Sequence, residues 1–323
     1  MFYLGVDVSK AKLDCLLLDS TTGKVKSKSI QNTNAGFMQL IEWLAEKKAP
    51  NAHVIMEPTG VYHEPAALAL ADAGLKLSLV NPAQLRQFAQ GLGVKNKTDK
   101  ADSSVLARYG ETLKPEAWQP PSKSARHLKA LLARRDAIAD DLQREQNRQE
   151  AIEFAVSPDE VKQSIIQSIS FLKAELKRLE GTIKQHIDSD PDLRGRKDLL
   201  ETIPGVGERV SSNLTALFSA KTFDSAEQLA AYLGLVPVQW ESGTSVRGRP
   251  RLSKAGPSHL RKLLYMPAVV ARQWNPHIKS FSERLIAKGK SKMAVIGACM
   301  RKLAHLCFGV VHTGRPYDPS YAM

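Results

Sequence analysis

Cysteine is scarce in this chain: three in 323 residues, Cys15, Cys299 and Cys307, with no C-x-x-C pair. That excludes a disulfide framework and a paired-thiol redox motif. Long apolar runs are also missing. Stretches such as Leu263 to Ala271 hold fewer than ten residues, whereas a membrane-spanning helix needs about twenty. The first residues, MFYLGVDVSK, carry an acid at position 7 and no basic segment ahead of an apolar one, so they do not read as a secretory signal. Neither a phosphate-cradling P-loop nor a dinucleotide fingerprint occurs. Gly (20) and Pro (17) are too few for a collagen-like or low-complexity chain. The expectation is a globular protein of a reducing, cytoplasmic compartment whose chemistry runs without ATP.

Acidic residues are nearly absent from one region. Between Glu241 and Met323 there are 15 Lys/Arg and 3 Asp/Glu, a net of +12, while the first 240 residues carry 31 against 30. Almost the whole formal charge of +13 thus lies in the last quarter. Such asymmetry points to a polyanionic partner, most often nucleic acid.

Hydrophobic periodicity divides the chain into three parts: 1–114, 115–195 and 196–323. In the first, FYLGVDV (2–8), KLDCLLLD (12–19) and 25–31 read as three hairpin-linked strands. A helix follows from about 35, then strand HVIME (53–57), a helix over 66–75, strand LKLSLVN (75–81), and helices before and after a Gly/Lys/Asn loop at 91–97. The order βββαβαβα is that of a ribonuclease H-like fold. Pro115, Pro120 and Pro121 mark a linker. Two long helices come next, and Ile165, Ile169, Leu172, Leu176, Leu179 and Ile183 in the second step as a heptad seam. The last part reads as mainly helical, with a polar Gly/Arg/Pro loop over 241–257 and helices over 258–273 and 291–311. The fold class expected is α/β plus all-α.

Three motifs carry chemistry. Asp7 and Glu57 each end a strand, and this topology makes the two strands neighbours. Asp99 and Asp102, three apart, share a helix face. Converging carboxylates repel unless a divalent cation neutralises them, and hard oxygen donors select Mg²⁺ or Mn²⁺. Ile203-Pro204-Gly205-Val206-Gly207 has the form of a helix-hairpin-helix turn, in which backbone N–H groups at Gly205 and Gly207 meet a phosphate. Around Glu241-Ser242-Gly243-Thr244-Ser245, the cations Arg247, Arg249, Arg251 and Lys254 suit a serine nucleophile beside a phosphodiester. Local chemistry does not rank Ser242 above Ser245. Cys299, His305, Cys307 and His312 sit at the spacing of an apolar helix rather than of a zinc site.

Five ordered blocks carry a resemblance: GVDVSKAKLD (5–14), MEPTGVY (56–62), NPAQLRQFAQGLGVKNKTDKADSSVLA (81–107), the IPGVG turn, and YLGLVPVQWESGTSVRGRPRLSKAGPSHLRKLLYMPA (232–268). Across its length the chain resembles the DEDD transposases of the IS110 insertion-sequence family, to which the Piv-type DNA invertases are related. The resemblance implies a RuvC-like first domain whose Asp7, Glu57, Asp99 and Asp102 bind Mg²⁺ or Mn²⁺. It implies a helical coiled coil in the middle and a basic transposase domain with Ser242 as nucleophile. It further implies homodimers pairing into a homotetramer, donor and target DNA as substrates, and a non-coding bridge RNA that selects them. Two rivals stand beside it: a RuvC-like junction nuclease using metal-bound water with no covalent intermediate, and a non-catalytic nucleic-acid-binding protein.

The charge asymmetry yields a first prediction. Binding of the full chain to duplex DNA should weaken steeply with salt, by roughly 0.9 log units of affinity per log unit of salt for each phosphate neutralised. A filter-binding titration across ionic strength measures it, and a flat dependence would contradict the polyanion assignment.

Overall fold

The computed structural model describes the chain apart from Val61, residues 94–98, Val156, Trp240, 243–245, 248–250 and 321–323. For Asp99, Lys100, Glu241, Ser242, Val246 and Arg247 it describes the backbone alone. Ser245 and Arg249, both singled out above, lie outside the described residues. The chain divides into two compact units, Met1–Pro120 and Pro121–Met323, and the division falls within the proline-bearing stretch at 115–123.

The first unit runs β1 (Phe2–Val8), β2 (Lys12–Asp19), β3 (Val25–Gln31), α1 (Asn34–Glu46), β4 (His53–Met56), α2 (Glu64–Asp72), β5 (Leu77–Leu79), α3 (Pro82–Gly91) and α4 (Asp99–Leu113). The five strands form one mixed sheet in the order β3-β2-β1-β4-β5. β1, β2 and β3 make an antiparallel meander, and β4 and β5 lie parallel to β1 on its other side. This order is consistent with the ribonuclease H-like expectation and makes β1 and β4 neighbours.

Side-chain alternation sorts the sheet into two faces. Leu4, Val6, Val8, Leu13, Cys15, Leu17, Val54 and Met56 share a core with Phe37, Leu40, Trp43, Leu44, Ala66 and Leu70 from α1 and α2. On the opposite face Ile55 packs with Val105, Leu106 and Tyr109 of α4, and Leu16 and Leu18 pack with Ala107. Tyr3, Gly5 and Asp7 therefore face α4. At Gly5 the helix touches the strand backbone: a Cβ there would overlap the Ser103 carbonyl oxygen and lie 2.6 Å from the Ala107 nitrogen. One helical turn and more along, Gly110 sits against Ile55 and Tyr3. The helix thus runs antiparallel to β1, with its first turn toward the carboxyl-terminal ends of β1 and β4.

That end of the sheet is pinned by Asn32. Its Nδ2 donates to the carbonyls of Ser9 (2.9 Å) and Tyr62 (3.0 Å), and its backbone N–H donates to Ala11 O (2.9 Å). One side chain so ties the β1–β2 turn to the segment that follows β4.

The second unit opens with a helical hairpin, α5 (Lys123–Glu153) and α6 (Asp159–Ser189), followed by α7 (Pro191–Glu201), α8 (Glu208–Ala220) and α9 (Ala226–Tyr232). Four two-residue strands come next: β6 (Pro237–Val238), β7 (Glu241–Ser242), β8 (Val246–Arg247) and β9 (Arg251–Leu252). The chain ends with α10 (Ser258–Leu263), α11 (Tyr265–Trp274), α12 (Pro276–Ala287) and α13 (Lys292–Thr313). By length and composition α13 could cross a membrane. Its buried side chains, from Val295 to Val310, instead form the centre of this unit's core with Leu200, Val210, Leu214, Leu229, Leu264 and Ile278. Cys299 and Cys307 are among them, and His312 stacks on Phe308 at 5.0 Å.

The sequence expectations need three corrections here. The helix over 258–273 is two helices that meet at Leu264, because Pro267 has no N–H and its ring crowds the carbonyl four residues back. The polar stretch 241–257 is partly strand. α7 and α12 were not anticipated. In the hairpin, Leu128 and Leu132 meet Ile183, Ile187, Leu193 and Ala216 at its base. Toward its tip Phe154, Val161, Ile166 and Phe171 are exposed.

Two variants test this account of the sheet. Gly5→Ala should lower stability by about 1–3 kcal/mol or more, since backbone, not a movable side chain, occupies the space. Asn32→Ala should cost about 1–3 kcal/mol through the carbonyls it leaves unpaired. Urea denaturation measures both, and a Gly5→Ala midpoint equal to wild type would show that α4 is not seated on β1.

Candidate active site

Strand register brings the first two acids together. β1 and β4 pair with Val6 beside Met56, so Asp7 and Glu57 are the next positions along two adjacent parallel strands. Both follow the α4 face, Asp7 two residues after Gly5 and Glu57 two after Ile55. Both are half-buried. Helical spacing places the other two. Ser103 and Leu106 face the sheet at Gly5. Asp99 lies one turn before Ser103, and Asp102 one turn before Leu106, at the end of the helix nearest Asp7 and Glu57. Asp102 is half-buried, and the side chain of Asp99 lies outside the described residues. Among the described residues no three His, Cys, Asp or Glu side chains stand close enough to grip an ion. The backbone thus directs the four positions to one edge, while Asp7, Glu57 and Asp102 alone do not form a closed cage.

The donor set suits a hard divalent cation. It is all carboxylate, and like charges held side by side disfavour ionisation unless a cation offsets them. A second feature went unread in the sequence. Asp14 pairs directly with Asp7 across β1 and β2. It lies on the α4 face, as Leu16 and Leu18 do, and its Oδ2 is 2.9 Å from Lys12 Nζ. The signal was present in KLDCLLLD, where apolar residues occupy the alternate positions 13, 15 and 17 and leave 12 and 14 to the other face.

The stretch carrying Ser242 is a nested hairpin. β6 pairs with β9, Pro237 opposite Leu252 and Val238 opposite Arg251. Inside them β7 pairs with β8, Glu241 opposite Arg247 and Ser242 opposite Val246. Ser242 is therefore a paired residue of β7. The base is closed tightly: a Cβ on Gly256, whose φ is +100°, would overlap the Tyr232 carbonyl. Ser253 N–H donates to Val236 O (2.9 Å) and Arg261 Nη1 to Leu233 O (3.2 Å). Arg251 and Lys254 are exposed on this hairpin.

The IPGVG turn joins α7 to α8, as a helix-hairpin-helix reading requires. Its two glycines differ. Gly205 faces α11, where a Cβ would lie 2.9 Å from Ala271 Cβ. Gly207 begins α8 with open space around it. The turn is braced from behind by buried Asn275, whose Nδ2 reaches Pro204 O at 3.5 Å.

With this geometry in view, comparison with known proteins is informative. Residues 4–152 match a family model described as Transposase, the DEDD transposase of IS110 type, and residues 197–283 match one described as Transposase IS116/IS110/IS902 family. The chain is 34% identical over 320 residues to the pilin gene-inverting protein of Moraxella bovis, covering 98% of this chain and 97% of that one. The Moraxella lacunata protein of the same description matches equally. An insertion element IS110 protein of Streptomyces coelicolor is 26% identical over 161 residues, half of this chain and 38% of its own length. Two family models in chain order and full-length relatives at this identity agree with the sheet topology, and the chain belongs to the IS110 family of transposases, enzymes that recombine DNA.

Proposed function

We propose that the chain cuts and rejoins DNA through a covalent phosphoserine on Ser242, with Asp7, Glu57, Asp99 and Asp102 holding Mg²⁺ or Mn²⁺ and a non-coding bridge RNA selecting donor and target. The observation that carries the catalytic part is the β1–β4 register together with the seating of α4 at Gly5. These bring the backbone positions of the four acids toward one edge of one sheet, which supports the reading.

The ion, once bound, would supply positive charge to the phosphate and lower the pKa of an oxygen nucleophile. The chain's own residues do the rest. Ser242 gives up its hydroxyl proton as Oγ attacks phosphorus, an Oγ–P bond forms, the P–O bond of the strand breaks, and the released strand end takes up a proton in its place. The phosphoester energy is retained, so a hydroxyl of the other duplex can displace Ser242 and reseal the strand without ATP. This accords with the absence of a P-loop. Arg251 and Lys254, exposed on the serine's hairpin, are suited to balance phosphate charge, as are Arg247 and Arg249 in sequence. The open start of α8 at Gly207 suits a backbone phosphate, and Gly205 serves by letting the turn sit on α11.

RNA guidance accords with the charge distribution. If base pairing chooses the sequence, the protein needs mainly phosphate contacts, and a net of +12 in the last quarter suits them. The substrates are then donor and target DNA on the chromosome, in the cytoplasm. Assembly into homodimers and homotetramers is supported by the α5–α6 hairpin, where Phe154 at its tip is 93% and Phe171 midway along α6 67% exposed. Such aromatic exposure on a helical hairpin is costly unless another chain covers it.

Ser242→Ala tests the reading. The wild type should form a denaturation-resistant protein–DNA adduct. The variant should lose the adduct and reduce strand exchange by several orders of magnitude while still binding DNA. Mg²⁺-dependent cleavage that survives in Ser242→Ala would establish the water-nucleophile nuclease instead.

A further inference from the structure

We propose that Lys12 is a phosphate-binding residue of the carboxylate site, delivering its ammonium to the scissile phosphate, and that Asp14 is the positioning residue that holds it there. This rests on the reading of Asp7, Glu57, Asp99 and Asp102 as a metal site.

Geometry carries the inference. Asp14 stands directly opposite Asp7 in the β1–β2 register. The apolar residues Leu13, Cys15 and Leu17 fill the α1–α2 core, so strand alternation puts Lys12 and Asp14 on the α4 face with Asp7. Lys12 begins β2, opposite Ser9, whose N–H donates to its carbonyl at 3.0 Å. It is thus beside the same sheet end that Asp7 and Glu57 reach. Its Nζ lies 2.9 Å from Asp14 Oδ2. The lysine side chain is 48% exposed and the aspartate 20%, so the pair opens to solvent from the lysine side. Asn32 fixes this turn through Ser9 and Ala11.

An exposed Lys–Asp pair contributes little to stability, so stability does not explain one placed against a catalytic acid. A cross-strand pair of carboxylates is unfavourable, and Lys12 offsets it locally. An ammonium has three donors, and one of its contacts is with Asp14. In a reaction at a phosphodiester, a lysine at the rim of a carboxylate cluster can bind a non-bridging oxygen that the carboxylates would repel. Asp14 fixes the side chain's direction, as an outer partner fixes a ligand.

The experiment uses the full chain and three readouts: recombination on its own DNA sites in cells, the salt dependence of binding to a plain DNA duplex with Ca²⁺ in place of Mg²⁺, and the rise in melting temperature on adding Mn²⁺. Lys12→Ala should lower recombination on the order of a hundredfold. Its log–log salt slope should fall by about one, the loss of one phosphate contact. Its melting temperature and Mn²⁺ response should match wild type. Lys12→Arg should restore the slope and part of the recombination, because it keeps the charge. Asp14→Asn should lower recombination severalfold and the slope partway.

Wild-type recombination or an unchanged slope in Lys12→Ala would overturn the proposal. So would loss of the Mn²⁺ response in Lys12→Ala, which would make the lysine part of the scaffold of the cage. Asp7→Ala, run in parallel, separates the two readings. If it keeps both the Mn²⁺ response and recombination, the metal-site reading fails and this proposal with it. If Asp7→Ala loses both while Lys12→Ala behaves as wild type, the metal site stands and only the role of Lys12 falls.

Discussion

The contact of α4 with the backbone of β1 at Gly5 is the constraint on which the candidate-site end of the first unit depends. A helix normally rides on side chains. Here the missing Cβ lets the Ser103 carbonyl and the Ala107 nitrogen come down onto the strand, and Gly110 repeats the approach at Ile55 and Tyr3. Two close approaches along one helix fix both its direction and its register on the sheet. They set the turn holding Asp99 and Asp102 toward the end where β1 delivers Asp7 and β4 delivers Glu57. Side chains of ordinary size at either glycine would lift the helix and separate the acids.

Much of the fold was legible in the sequence because period-two and helical patterns are strong in the first unit. The three hairpin-linked strands, the strand expected over 53–57, which stops one residue short of Glu57, and the two long helices are all present. What was missed has physical causes. α7 and α12 both start with an Asx-Pro pair, Asp190-Pro191 and Asn275-Pro276, in which the Asx side chain caps the helix and Pro takes the first helical position. That signal marks both helix starts; α7 buries only Leu193 and Leu200, whereas Ile278, Phe281 and Leu285 in α12 also keep a helical spacing. The strand pairs around Ser242 could not be seen, since strands of two residues have no period to detect.

The candidate site was legible to different degrees. Strand-end acids and an i, i+3 pair pointed to Asp7, Glu57, Asp99 and Asp102, and the fold directs all four positions to one edge. The neighbours of these residues were not foreseen. Asn32 looks like a turn residue in sequence, yet its amide ties the β1–β2 turn to the segment beyond Glu57. Lys12 and Asp14 look like the polar half of an ordinary strand, and only the register shows that Asp14 faces Asp7. Gly205 was read as a phosphate-binding glycine through its backbone N–H, and the side its missing Cβ would fill faces α11. Alternation assigns a face, and pairing assigns the neighbour.

The central claim is that one divalent ion site lies between the ends of β1 and β4 and the first turn of α4. The most direct test is a crystal of the full chain soaked in Mn²⁺, with anomalous diffraction collected for the metal. The account predicts a peak within coordination distance, about 2.0–2.6 Å, of carboxylate oxygens from Asp7 and at least one of Glu57, Asp99 and Asp102. Mn²⁺ bound only elsewhere, or carboxylates that stay apart at saturating Mn²⁺, would contradict it.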